Sequence, residues 1–367
     1  MIFSSRRDFL KTAAVGAAML GSFAPTAPAS AMARLGRTRA PLGVALVGLG
    51  YYSTDLLAPA LQETQNVRLA GIVTGTPAKA DAWSAKYDIP RRNIYSYDTF
   101  DAIADNPDID IVYVVLPNVM HAEYTIRAAR AGKHVICEKP MAITEAECAT
   151  MIEACDKAGV TLSIGYRMQH EPTTQEVMRF AREKPFGGVQ FVTAGSGYRE
   201  GRADNWKVKK AMGGGVMMDM GVYSLQACRY AAGEEPVSVS AQTFVTRPEI
   251  FKDADEITSF QLQFPSGFVA NAHTSFAGNM NHLEVRYERG WLKMDPFQAY
   301  RNIRAVSHEG PLSMPDINQQ ARQMDDTADA IVNKTPVRVP GEEGMRDMRI
   351  VEAIYRSIAA GGATMPL

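Results

Sequence analysis

The stretch Gly43-Val44-Ala45-Leu46-Val47, followed at once by Gly48-Leu49-Gly50, constrains this chain more than any other. Five uncharged residues in a row read as a strand buried on both faces, as in a parallel sheet. The chain then turns through Gly48-Leu49-Gly50-Tyr51-Tyr52-Ser53 and opens a helix. The first glycine permits the tight turn, and the second lets a pyrophosphate approach the backbone at the helix N-terminus. Ser53 occupies the third position, where a glycine is usual, and is still small. A Gly-rich turn alone is a weak signal; a strand before it and a helix after it make it a dinucleotide-binding loop.

The same alternation continues to about residue 164. Val67–Thr74, Ile109–Leu116, His134–Cys137 and Val160–Ile164 read as further strands. Helices are expected near 54–63, 77–87, 121–131 and 144–158, the last opened by a capping box of Thr144 and Glu147. This is an α/β pattern, an N-terminal Rossmann parallel sheet over residues 42–164. After Gly165 the pattern changes. A helix at 172–182 is followed by strands with period-two character at Val189–Ser196, Val237–Val245, Ile257–Phe264, Phe268–Phe276 and Leu283–Asp295, the last with a turn at Arg289-Gly290. Strands without crossover helices predict a C-terminal α+β domain over 165–367 with a mainly antiparallel, open-faced sheet. Its helices are expected near 215–231, 318–333 and 343–360, the last ones free to pack back on the first domain.

Length agrees with two domains, since 367 residues exceed what one core usually serves. The formal net charge is −1, without a basic patch, which argues against a nucleic-acid partner. Residues 1–33 read as a targeting segment. Ser5-Arg6-Arg7-Asp8-Phe9-Leu10-Lys11 is a twin-arginine pattern, an apolar run follows from Thr12 to Phe23, and Ala29-Ser30-Ala31 is a small-residue cleavage site. The run contains Gly16 and Gly21 and is short for a membrane span. The expectation is export to the periplasm, a mature chain starting near Met32 or Arg34 and free of the membrane, and a short N-terminal arm over 34–41. The four cysteines, Cys137, Cys148, Cys155 and Cys228, show neither a C-x-x-C spacing nor a His/Cys cluster, so they read as buried thiols and no metal is expected.

Three further runs carry chemistry. The second strand ends Val73-Thr74-Gly75-Thr76, with Lys79 beyond. A carboxylate there would hold the ribose hydroxyls of NAD; hydroxyls with a cation suit a 2′-phosphate, so NADP is expected. Glu138-Lys139-Pro140 follows the fourth strand, at the edge where open α/β sheets place ligands. Proline keeps Lys139 out of the helical region and so fixes its direction. The third run is Gly213-Gly214-Gly215 through Asp219 to Tyr223. Its glycines let a ligand or a backbone come close, and Asp219 and Tyr223, at i and i+4, share one helix face, where a carboxylate beside a phenol could handle a substrate hydroxyl.

Taken with Leu116-Pro117-Asn118 and His121, these runs resemble the Gfo/Idh/MocA oxidoreductase family from about residue 42 to the C-terminus. Within it, Gly165-Tyr166-Arg167, Asn205-Trp206-Lys207, Met294-Asp295-Pro296 and Pro340-Gly341-Glu342-Glu343-Gly344-Met345 resemble the periplasmic glucose–fructose and aldose–aldose group, and tyrosine at 223 rather than histidine does too. That resemblance implies an NADP-dependent sugar oxidoreductase with tightly bound NADP(H). It would oxidise an aldose to its lactone and return the hydride to a second sugar, giving a polyol. Lys139 and Tyr223 would flank the reacting carbon, and Asp219 would bind a sugar hydroxyl or orient Lys139. Glu138 would hold the nicotinamide ribose, Thr74, Gly75 and Lys79 the 2′-phosphate end. Gly48, Leu49, Gly50, Tyr51, Tyr52, Leu116, Pro117, Asn118 and His121 would line the cofactor; Arg167, Trp206, Lys207 and Tyr300 would lie near cofactor or sugar. The group's long N-terminal arm is short here, about Met32 to Pro41. A homodimer or homotetramer is expected because an open-faced sheet commonly needs a partner surface. Rival readings are a dehydrogenase with exchangeable cofactor, a glycosidase using transient NAD oxidation, and a sugar sensor without turnover.

Overall fold

The computed structural model describes residues 40–367; the targeting segment expected over 1–33 and almost all of the expected arm lie outside the described residues. The first sheet has six parallel strands in the order β3 (Ile94–Tyr95), β2 (Val67–Val73), β1 (Leu42–Val47), β4 (Ile111–Val114), β5 (His134–Cys137), β6 (Leu162–Ile164). Every residue of β1 and β4 is buried, as uncharged central strands require. The strand order reverses between β1 and β4, so their carboxyl ends open the crevice in which such sheets bind ligands. The connections run through α1 (Ala58–Ala60), α2 (Pro77–Tyr87), α3 (His121–Arg130) and α4 (Glu145–Ala158). The Thr144 hydroxyl caps α4 by accepting from the Glu147 N–H at 3.1 Å, while Glu147 reaches back to the N–H of Ile143 at 3.1 Å.

Two differences from the sequence expectation lie in the first half. The short edge strand β3 and the 3₁₀ turn Phe100–Asp105 are additions to the expected set; neither is long enough to show a periodicity. The helix expected at 54–63 instead begins as a π-helical turn over Tyr52–Leu57 and ends with α1. The same widening precedes α6 (Val222–Ala232), through Met217–Gly221. A π turn leaves no mark in hydrophobic spacing, and such turns concentrate at functional sites.

The second half begins with α5 (Pro172–Glu183) and builds a sheet of nine strands. They are β7 (Val189–Gly197), β8 (Ser238–Phe244), β9 (Ile257–Gln263), β10 (Val269–Ser275), β11 (Met280–Tyr287), β12 (Gly290–Met294), β13 (Ala305–Ser307), β14 (Gly310–Leu312) and β15 (Met365–Pro366). All pairings are antiparallel except β7 with β10, which run parallel. The chain leaves β7 on a long excursion through α6, β8 and β9 before returning to its side, the kind of crossover that parallel neighbours need. Strands β13, β14 and β15, only two or three residues each, are also additions to the expected set.

The last two helices, α7 (Gln319–Asn333) and α8 (Gly341–Ala359), complete the first half as well as the second. Ala321, Met324 and Ala328 of α7 share an apolar cluster with Leu46, Trp83, Ile111, Tyr113 and Ile136. Burying a side chain such as Met324 contributes about 2 kcal/mol. A second apolar cluster runs without a break from Val47, Val112 and Val135 to Tyr223, Val192 and Ala270. The two sheets therefore share a core, and the crevice at the end of β1 and β4 is held rigidly against α6.

Candidate active site

The loops after β1, β2, β4 and β5 that the sequence assigns to ligand binding leave the carboxyl edge of the first sheet. Gly48 follows β1 with φ +93°, and a Cβ there would collide with the carbonyl of Val115, so only glycine fits. A Cβ on Gly50 would meet no protein atom within 4 Å. Ser53 is fully buried and its hydroxyl donates to the Gly48 carbonyl at 2.6 Å, bracing the turn in place of a third glycine. After β2, the buried Thr74 precedes Gly75, and the exposed Lys79 donates from Nζ to the Leu49 carbonyl at 2.9 Å. A cation thus spans the β1 and β2 loops, with no carboxylate at the end of β2. Tyr51 is exposed; the Tyr52 ring lies 6.1 Å from that of Tyr300.

Lys139 is the centre of the polar cluster. It follows β5, its bond to Pro140 is cis, and its Nζ donates to the Asp219 carbonyl at 2.8 Å. The same Nζ lies 3.7 Å from Asp219 Oδ1 and 4.5 Å from the centre of the Tyr223 ring. The Arg167 guanidinium flanks that ring from 5.2 Å and the Tyr300 ring from 4.6 Å. Arg167 is buried and donates to the carbonyls of Ala299 (3.0 Å) and Gln298 (2.6 Å) and to the Gln319 side chain of α7. The structure therefore brings Lys139, Asp219, Tyr223, Arg167 and Tyr300 together.

Two further side chains complete the cluster. Lys207, which the resemblance places only near cofactor or sugar, donates from Nζ to Asp219 Oδ2 at 2.8 Å. Tyr198, just past β7 and unmarked in the sequence, donates its hydroxyl to the same oxygen at 3.2 Å. Burial alone would raise the Asp219 pKa, but Lys207 and then Lys139 outweigh it and hold the carboxyl below its ordinary value. Lys207 is held above the usual lysine range: burial opposes this, and the Asp219 charge together with the Tyr198 oxygen outweighs it. Asp219 is an anion shared between two ammonium groups. Trp206, half-buried beside Lys207, contributes its carbonyl to the packing of Gly214.

The glycine run before Asp219 admits protein groups. A Cβ on Gly214 would meet the carbonyls of Lys207 at 2.6 Å and Trp206 at 2.7 Å. Gly215, at φ +120°, lies against the Asp255 carboxylate, which also accepts from the Met217 N–H at 2.8 Å and the Tyr355 hydroxyl at 3.0 Å. Asp255 is half-buried, distant in sequence from Asp219, and carries no signal in the chain as written. It fixes the start of the turn that carries the site.

Some residues expected to line a cofactor face inward. His121 is 1% exposed, and its ring nitrogens lie 2.8 Å from the Pro140 carbonyl and 2.9 Å from that of Leu116. Burial pushes its pKa down, against the raising effect of those carbonyls. His121 is a brace between the Leu116-Pro117 and Lys139-Pro140 loops. Asn118 is buried and donates to the Gly213 carbonyl at 2.7 Å. Glu138 is buried, accepts from the Tyr113 hydroxyl at 2.6 Å, and burial pushes its pKa up. Gln323 of α7 steadies Tyr113 in turn, at 2.8 Å.

Comparison with known proteins agrees with both halves. Residues 42–166 match the model for the oxidoreductase family with an NAD-binding Rossmann fold, and residues 174–293 match the GFO/IDH/MocA C-terminal domain. The chain belongs to the Gfo/Idh/MocA oxidoreductase family. Among its relatives is D-xylose 1-dehydrogenase (NADP(+)) 2 of Haloferax volcanii, 30% identical over 87% of this chain and 98% of that one. The NADP(+) D-xylose 1-dehydrogenase of Haloarcula marismortui is 28% identical over 86% and 91%. A solved structure, the aldose-aldose oxidoreductase of Caulobacter crescentus complexed with glycerol, is 42% identical with a TM-score of 0.86, covering 89% of this chain and all of that one.

A nicotinamide dinucleotide fits the crevice of this family member. Gly50 is exposed with open space around its backbone, the turn is locked by Ser53, and Lys79 holds a cation against the Leu49 carbonyl of that turn, where an adenosine phosphate would need one. Among the described residues no group of three His, Cys, Asp or Glu side chains could hold a metal ion, and no helix is long and apolar enough to cross a membrane.

Proposed function

We propose that this protein is an NADP-dependent sugar oxidoreductase that oxidises an aldose at its anomeric hydroxyl to the lactone and uses the hydride to reduce a second sugar to a polyol in the same site. The observation that carries the reading is the meeting of Lys139, Asp219 and Tyr223 at the mouth of the dinucleotide crevice. Bound NADP supplies the hydride acceptor and, once reduced, the donor. Acting from its phenolate form, Tyr223 takes the hydroxyl proton as the aldose loses hydride; as the phenol it then gives that proton to the alkoxide oxygen of the second sugar and is phenolate again. Lys139 steadies the negative charge that develops on that oxygen. Asp219 keeps Lys139 aimed by accepting from its Nζ through the backbone carbonyl. Both half-reactions need one hydride and one proton, so the same three side chains serve each in a ping-pong cycle.

Names of relatives support the substrate class: two are xylose dehydrogenases that use NADP, and one is an aldose-aldose oxidoreductase. Thr74 and Lys79 support NADP. The N-terminal pattern around Arg6 and Arg7 supports export to the periplasm in folded form, with the cofactor already bound and retained. The face of the second sheet opposite α6, where Phe191, His273 and Trp291 are half-exposed, supports assembly as a homodimer or homotetramer. The test is product analysis on purified protein without added cofactor. Incubation with a free aldose is expected to give lactone and polyol in equal amounts. Lactone that forms only with added NADP identifies a dehydrogenase with exchangeable cofactor, and release of phenol from an aryl glycoside identifies a glycosidase.

A further inference from the structure

We propose that Tyr198 and Lys207, on the far side of Asp219 from Lys139, form a hydroxyl-reading subsite that makes the reaction depend on a free hydroxyl next to the carbon that gives up hydride. The inference rests on the proposed sugar oxidation and names the class of sugar that site takes.

A plain counterion role would need one bond between Lys207 and Asp219. The geometry holds more. Lys207 Nζ donates to Asp219 Oδ2 at 2.8 Å and to the Tyr198 hydroxyl at 3.3 Å, which leaves its third N–H without a partner among the described residues. Its side chain is 28% exposed. Tyr198 gives its only proton to Asp219 Oδ2 and keeps a lone pair. Lys139 spends one N–H on the Asp219 carbonyl at 2.8 Å, and at 3.7 Å from Oδ1 it leaves that oxygen short of a hydrogen bond. The site thus offers one unfilled carboxylate acceptor with ammonium donors to either side.

A sugar hydroxyl is donor and acceptor at once, and two neighbouring hydroxyls present that pair twice. One would meet Tyr223 and Lys139 at the reacting carbon. Its neighbour would give its proton to Asp219 Oδ1 and accept from Lys207. The subsite is pre-formed: Tyr198 packs edge-on against Phe276 at 5.2 Å, and the Lys207 backbone N–H donates to the Asn205 side-chain oxygen at 3.2 Å. A sugar lacking the second hydroxyl leaves charged, largely dehydrated groups unpaired, and sites of this kind reject such analogues strongly.

The experiment compares an aldose with its 2-deoxy and 6-deoxy forms on the holoenzyme, on Lys207→Met and on Tyr198→Phe, by kcat/KM and by calorimetric Kd. Cofactor content after gel filtration reports folding. The wild type is expected to prefer the parent sugar over the 2-deoxy form by about 10²-fold or more, and to treat the 6-deoxy form within a few-fold of the parent. Lys207→Met is expected to shrink the 2-deoxy discrimination about tenfold, mainly by losing the parent sugar, and Tyr198→Phe to shrink it less. Discrimination unchanged in folded Lys207→Met, or a 2-deoxy sugar used as well as its parent, overturns the subsite. If no aldose turns over, the proposed reaction fails; the subsite is then judged by Kd alone, and equal affinity for the parent and 2-deoxy sugars overturns it.

Discussion

The carboxyl edge of the first sheet and the charged cluster above it are built in opposite ways. At the edge, function is carried by backbone: Gly48, Gly50 and Gly75 lie in short turns between elements adjacent in the chain, and the braces, Ser53 and Lys79, bond back to those same turns. In the cluster, the proposed chemistry rests on side chains gathered from distant segments. Lys139 comes from the first sheet, Arg167 from the crossing between halves, Tyr198 from the end of β7, Lys207 from a 3₁₀ turn, and Asp219 and Tyr223 from the head of α6. Binding a dinucleotide needs donors and room, which local turns provide. Moving a proton needs charges balanced in three dimensions, which only tertiary packing provides.

If that contrast is right, the largest effects on turnover belong to the cluster and leave cofactor in place. Tyr223→Phe is expected to lose about 10²-fold or more in turnover. Cofactor released on denaturation should stay at the wild-type level. Near-normal turnover in the folded variant would remove Tyr223 from the chemistry and break the comparison on its stronger side.

Glycines sharpen it next. Gly215→Ala places a methyl group against the Asp255 carboxylate at φ +120°, and is expected to cost about 1–3 kcal/mol in urea unfolding and to lower turnover with it. Gly132, also at positive φ but with open space around it, serves as the control: Gly132→Ala should cost about 1 kcal/mol and leave turnover unchanged. Equal losses in both would show that Asp255 is not a clamp on the catalytic turn.

A change at the edge should alter which cofactor binds and spare the chemistry. Thr74→Asp is expected to shift preference from NADP toward NAD by about tenfold through repulsion of the 2′-phosphate, read as a ratio of dissociation constants. If the wild type already binds NAD more tightly than NADP, the reading of Thr74 and Lys79 fails.

The smallest effect concerns pH. Asp219 is held down by Lys207 and Lys139 against the upward push of burial. Removing one cation lets burial gain, so the carboxyl's pKa should rise in Lys207→Met and the acid limb of kcat/KM should move to higher pH. In the folded wild type the depressed carboxyl adds stability above its ordinary pKa, lost only as pH falls through the lower folded value. An acid limb that stays in place would show that Asp219 does not report on activity.

The same contrast explains how much of the molecule is legible in its amino-acid sequence. The Gly48 turn, the Thr144 cap and the boundaries of α2 and α3 follow from local rules and stand in the chain as written. Lys139, Asp219 and Tyr223 stand out because proline or i,i+4 spacing fixes their direction. Tyr198 lies 21 residues from the carboxylate it serves, at an ordinary strand end, and no periodicity marks it. Asp255 looks like one more acidic loop residue until Gly215 is seen against it. His121 and Asn118 carry the opposite lesson: they belong to a recognisable run, yet their side chains bond the protein's own carbonyls.

The central claim is that one site oxidises one sugar and reduces another with a cofactor it does not release. An aldose deuterated at its anomeric carbon, given to gel-filtered protein with a second sugar and excess unlabelled external NADPH, tests it most directly. The account predicts close to one NADP(H) per chain after gel filtration and deuterium in the polyol despite the external pool. Cofactor lost on gel filtration, or a polyol carrying only hydrogen from the external NADPH, would contradict it.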